Sequence, residues 1–206
     1  SSRVLHQLNA KDDARLESRA WPTAARKETS QVFYVGAEHI TWNDLTTEAV
    51  VIGDGEIVMR EPDWARSSES GAPFSGPGSS QFVWEERLDL SREADDRFVL
   101  SMRGNVEGLW RSSNDSRDFA SIAAEEIHLR SKRTDTEEVR QDTPLQLGGD
   151  MDIERLRAVG RVYLRTATRR VDCHMLEYNT RTGIAELVAR AGRVVSLMTE
   201  GSTMPV

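Results

Sequence analysis

The chain has 206 residues, of which 27 are basic and 34 acidic, giving a formal net charge of −7 and a pI near 5.2. That balance gives no basis for a nucleic-acid-binding surface, and a single cysteine, Cys173, excludes an internal disulfide framework or a cysteine-based zinc cluster. No run of about eighteen apolar residues occurs, so no membrane-spanning helix is expected.

The chain begins Ser1-Ser2-Arg3, with neither methionine nor an apolar leader; either a leader has been removed or, the favoured reading, this is a segment of a longer protein. Residues 1–31 read as a lead-in or an additional partial repeat, with a weak helical hint over Ala10–Ala20. The first clear unit is GAEHITWNDLTTEAVVIGDGEI, 36–57. Ile40 and Trp42 are two apart and so share one face of a strand. After a polar turn, a second strand carries Val51, then Gly55 and Ile57. Gly71–Ser80, rich in Gly, Ser and Pro, closes a flexible loop over 64–80.

Three further units follow the same template. EERLDLS at 85–91 places Leu88 and Leu90 in the two apolar slots, followed by Leu100, Gly104 and Val106. AEEIHLR at 124–130 supplies Ile127 and Leu129. A charged insertion, 131–153, with a second weak helical hint at Glu137–Gln146, then delays Leu156, Gly160 and Val162. CHMLEYN at 173–179 aligns without gaps on AEHITWN at 37–43, with Leu176, Tyr178 and Asn179 on Ile40, Trp42 and Asn43. It leads to Val188, Gly192 and Val194; residues 200–206 are a tail. From the second slot to the glycine the distance is 13 (Trp42 to Gly55), 14 (Leu90 to Gly104), 31 (Leu129 to Gly160) and 14 residues (Tyr178 to Gly192).

Four positional matches define a repeat, and repeats dictate architecture. Each glycine is expected to mark a bulge or bend. One unit cannot bury its apolar face alone, whereas four stacked units make a continuous core. The expected fold is all-β: one domain over 32–199, a repeat-built jellyroll or solenoid-like stack of antiparallel strands open at its ends.

The strand–turn–strand units with their late glycine resemble the OstA-like β-jellyroll repeats of lipopolysaccharide-transport proteins. In that family a unit reads alanine-aspartate, two residues, a variable position, tyrosine, a polar turn and an apolar strand into Gly-x-Val. HMLEYNTRTGIAELVARAGRV, 174–194, preceded by Cys173, carries the likeness best, and the unit at 36–57 comes next. Cys173 and His174 depart from the family's alanine and aspartate. The resemblance implies a periplasmic, cell-envelope location and an apolar interior that shelters acyl chains of lipopolysaccharide or another long-chain lipid. It also implies edge-strand pairing with other β-jellyroll proteins, or with further copies in a head-to-tail homo-oligomer. The lipid-groove candidates are Ile40, Trp42, Ile57, Leu88, Leu90, Val106, Ile127, Leu129, Val162, Leu176, Tyr178 and Val194.

Catalytic and metal chemistry finds no constellation. His39, His128 and His174 occupy three different template positions and would not converge. Cys173 and His174, adjacent on a strand, point to opposite faces and make no nucleophile–base pair. Glu85-Glu86 and Glu125-Glu126 read as solvated surface, as do Arg161 and Arg193 beside the repeat glycines. GGDMD at 148–152 lacks the Lys-Ser/Thr of a phosphate loop, and GDGE at 53–56 lacks the remaining oxygens of a calcium loop. No cofactor is expected. The expected function is non-enzymatic: binding or conducting an amphipathic lipid, with a ligand-free scaffold assembling through sheet edges as the alternative. A carbohydrate-processing enzyme would need carboxylates that align between units.

Overall fold

The computed structural model describes residues 6–20, 31–43, 45–61, 74, 77–93, 97–113, 117–133 and 151–199. In chain order the strands are β1 (Gln7–Ala20), β2 (Gln31–Asn43), β3 (Glu48–Glu61), β4 (Gly78–Trp84), β5 (Arg87–Arg92), β6 (Arg97–Ser112), β7 (Phe119–Arg133), β8 (Met151–Thr166), β9 (Arg169–Asn179), β10 (Ile184–Val188) and β11 (Ser196–Thr199). No helix occurs among the described residues, and all eleven strands belong to one antiparallel sheet. The protein is all-β and jellyroll-like. β4 and β5 are two halves of one line, both lying between β3 and β6. β10 and β11 likewise share one line beside β9. Eleven strands less these two splits leave nine lines in a simple meander.

The turns follow from the template's asparagine. Asn43 Oδ1 accepts the backbone N–H groups of Leu45 and Thr46, and Asn179 Oδ1 accepts those of Arg181 and Thr182. An Asx side chain closes such turns without help from a partner strand.

The N-terminal stretch differs from the expected lead-in. Residues 10–20 are strand, not helix, and pair with β2 from Gln7↔Asn43 to Ala20↔Gln31. Leu8, Ala10, Ala14 and Leu16 pack on the core from this edge. Cross-strand burial outweighs a weak local preference here, so β1 packs on the same core as the strands that follow. The flanks of the two expected loops are also strand: β4 starts at Gly78, β7 runs to Arg133 and β8 starts at Met151. Glu137–Gln146 lies outside the described residues.

Breaks in alternate lines, and in the line of β4 and β5, fall in one row across the sheet. Asp12-Asp13 oppose Glu38, which also opposes Gly53-Asp54. Gly104-Asn105 oppose Glu125, and Gly160-Arg161 oppose His174. The line of β4 and β5 breaks at Glu85-Glu86. Two residues against one is a bulge, which bends the strand and raises its twist. On alternate lines the bulged residues are left-handed: Asp12 and Asp13 (φ 62°), Gly53 (84°), Gly104 (84°) with Asn105 (44°), and Gly160 (78°) with Arg161 (46°). In the first unit the bend therefore falls on Gly53, two residues before the expected Gly55. Gly55 pairs with Ala37, as Val106 pairs with Ala124 and Val162 with Cys173.

These breaks form a crease. One face of the sheet is apolar on both sides of it, and Met102, Val106, Ile127 and Val162, which flank it, are completely buried. With no helix or second sheet among the described residues, that face is dry because the two halves cover each other. Each such side chain contributes about 1.5–3 kcal/mol by burial. Phe74 adds to the cover, its ring 5.5 Å from that of Phe82.

Candidate functional site: an apolar interior between two open edges

Ten of the twelve groove candidates are buried in this interior. Ile40, Trp42, Leu88, Leu90, Ile127, Leu129 and Leu176 come from one side of the crease, and Ile57, Val106 and Val162 from the other. Tyr178 is partly buried against the same cluster. Val194 is the exception. It lies between β10 and β11 and is 86 % exposed. The reason is register: Leu187 directly opposes the buried Leu176, and direct partners share a face. Leu187 and Val195 therefore pack on the core, one residue away from the expected Val188 and Val194.

The interior is closely filled. Nine candidates, Ile40, Trp42, Ile57, Leu88, Val106, Ile127, Leu129, Val162 and Leu176, are 0–3 % exposed. One polar atom inside lacks a match: the buried Trp42 Nε1 has no hydrogen-bond partner among the described residues. The comparable Trp84 Nε1 donates to Gly53 O at 3.1 Å. Cys173 occupies the same slot as Ala37 and Ala124, all three buried. Burial pushes its thiol pKa up, and the charge of Asp172 adds to the effect. A thiol held neutral in this way is a poor nucleophile.

The crease carries the acidic residues that the sequence alone leaves as solvated surface. The second template position is Glu38, Glu86, Glu125 or His174. A Cβ added at Gly53 would meet Glu38 Oε2 at 2.6 Å, one at Gly104 would meet Glu86 Cγ at 2.5 Å, and one at Gly160 would meet Glu125 Cβ at 2.7 Å. Each glutamate thus lies across the glycine of the following line. Asn105 Nδ2 donates to Glu85 Oε2 at 2.6 Å, and Arg161 Nε donates to Glu125 Oε1 at 3.0 Å. A template read along the chain conceals this pairing, because it joins position two of one strand to the late glycine of the next.

The histidines do not meet. His39 bonds Asn9 at 2.8 Å, whereas His128 bonds Ser101 at 2.9 Å and lies 3.3 Å from Glu126. Among the described residues no group of three His, Cys, Asp or Glu side chains is placed to hold a metal.

The two ends of the stack are uncapped among the described residues. β1 forms one edge and the β10–β11 line the other. The second edge exposes Ile184, Val188, Leu197 and Met198 along with Val194, a feature the repeat template does not signal. The breaks in the edge lines differ in charge: Asp12 and Asp13 in β1, Arg190 and Arg193 between β10 and β11. No family model and no curated protein matches the chain.

Proposed function

We propose that the protein is a non-enzymatic cell-envelope module that binds or conducts an amphipathic lipid, such as lipopolysaccharide, in a periplasmic setting. The observation that carries this reading is an apolar interior to which every line contributes and which no described element caps at either end. Edge-to-edge docking of a second jellyroll would extend that interior without a polar barrier. The unmatched Trp42 N–H suits an ester or amide oxygen of an acyl chain, since an unpaired buried donor costs about 1–3 kcal/mol.

A second reading, a scaffold assembling through its edges without ligand, is favoured by the near-zero exposure of the lining residues. A lipid would have to spread the halves about the crease or enter at an edge. Native mass spectrometry with lipopolysaccharide and simpler long-chain lipids separates the two. The lipid reading expects a saturable, stoichiometric adduct. No adduct with any amphiphile, alongside oligomers that grow with concentration, would leave the scaffold.

A further inference from the structure

We propose that the outer face of the sheet, near the turn that joins β9 to β10, holds a binding site for a phosphorylated anion. A cavity of about 350 Å³ there is lined by Arg97, Arg130, Glu154, Arg155, Asn179 and Arg181. Arg130 and Arg155 are direct partners on β7 and β8, and Arg155 is in turn the partner of Asn179 on β9. They alternate with the buried Leu129 and Leu156, so the site faces away from the apolar interior. Like charges directly opposite each other destabilise a sheet, and this pair lies in a molecule whose net charge is −7.

The surroundings hold the cations in place without neutralising them all. Glu93 reaches Arg130 at 2.5 Å, Glu177 reaches Arg155 at 3.0 Å and Glu154 reaches Arg97 at 2.9 Å. Glu93 and Glu177 each occupy part of a five-donor guanidinium, so Arg130 and Arg155 keep further N–H groups for a ligand. Among the described residues no carboxylate forms an ion pair with Arg181. With Glu93 and Glu177 counted beside the lining, four arginines face three carboxylates, a formal +1.

The backbone is built to present these groups. Glu154 stands at a register shift in β8, where Ser131 pairs with Ile153 but Arg130 with Arg155. The Thr180 hydroxyl donates to Ile153 O and Glu154 O, and Thr180 N donates to Glu154 O at 3.1 Å, clamping the shift to the turn. Asn179 Oδ1 is taken by the N–H groups of Arg181 and Thr182, so its amide offers Nδ2–H to the cavity. Forked guanidinium donors with an added amide match phosphoryl oxygens, and the volume suits a diphosphate or a phosphorylated sugar better than a single phosphate.

The site and the interior stand on different residues, so either assignment can fail without the other. The test titrates the full chain calorimetrically with sodium pyrophosphate and, separately, sediments it with phosphatidylcholine vesicles with and without phosphatidylglycerol. Binding is expected to be saturable, to weaken with added salt, and to fall about tenfold in each of Arg155→Ala and Arg181→Ala. Arg15→Ala, on β1, serves as the control that leaves it unchanged. Circular dichroism melting checks that the variants fold. Pyrophosphate binding alone identifies a free phosphorylated ligand, whereas vesicle binding lost in the same two variants identifies a lipid headgroup. Failure of both probes, or binding that both variants retain at full strength, overturns the assignment.

Discussion

Among single residues, Trp42 separates packing from recognition. Its ring is 3 % exposed and fills the interior, yet its N–H is unmatched among the described residues. Trp42→Phe keeps most of the apolar bulk and removes the donor. Thermal unfolding is expected to show a loss of about 1–2 kcal/mol, from the smaller ring alone, because no hydrogen bond is lost. Where the interior takes an acylated ligand, the same variant should bind it about fivefold more weakly, as befits one neutral hydrogen bond. Unchanged lipid binding in a folded Trp42→Phe variant would withdraw this residue from the lipid reading. Arg161 is a different kind of residue. A non-glycine at φ 46° carries about 1–2 kcal/mol of backbone strain, and its exposed pair with Glu125 returns about 1 kcal/mol at most.

The element that defines the strands is the crease, and its glycines are not equivalent. Gly160 and Gly192 have nearly the same φ, 78° and 77°, but a Cβ at Gly160 would run into Glu125 whereas one at Gly192 would meet nothing within 4 Å. Gly160→Ala is therefore expected to cost about 2–4 kcal/mol, combining left-handed strain with a displaced neighbour, and Gly192→Ala about 1–2 kcal/mol. Chemical denaturation of the two variants measures the difference, and equal losses would refute the packing role of the crease glutamates.

The period-two slots of the four units were legible, since Ile40, Leu88, Ile127 and Leu176 are all buried. So was the bending role of glycine, apart from the two-residue displacement to Gly53. In the last half-unit the phase was lost because the β10–β11 line is split, and the inward face there is dictated by the partner Leu176. β1 escaped because its charged, alternating stretch acquires meaning only beside β2. The arginine cavity was illegible for a stronger reason: Arg97, Arg130, Arg155 and Arg181 are brought together by register, including a shift that no spacing in the chain announces.

At the scale of the molecule, the nine lines among the described residues have antiparallel neighbours and leave β1 and the β10–β11 line running in the same direction. Because the breaks share one row, a strand added at an edge must bend there as well. Translational head-to-tail contact would then set Asp12 and Asp13 beside Arg190 and Arg193 in parallel pairing. A twofold contact between like edges would be antiparallel but would oppose like charges. Head-to-tail association is therefore the expected mode, and analytical ultracentrifugation should find it weakened by salt. Asp12→Asn with Asp13→Asn, which keeps residues that tolerate the left-handed region, should weaken it about tenfold, as should Arg190→Glu with Arg193→Glu. Self-association indifferent to the aspartate changes but altered by the arginine changes would point to contact between two C-terminal edges instead.

The meander also makes length a discrete quantity. Neighbouring lines are about 4.8 Å apart, so each hairpin inserted or deleted would change the stack by about 9.6 Å while leaving its cross-section untouched. Such a change would move both edges as units and keep their directions alike, because lines come in pairs. A fold of this kind can be lengthened like a ruler, one division at a time, with the crease as its straight edge.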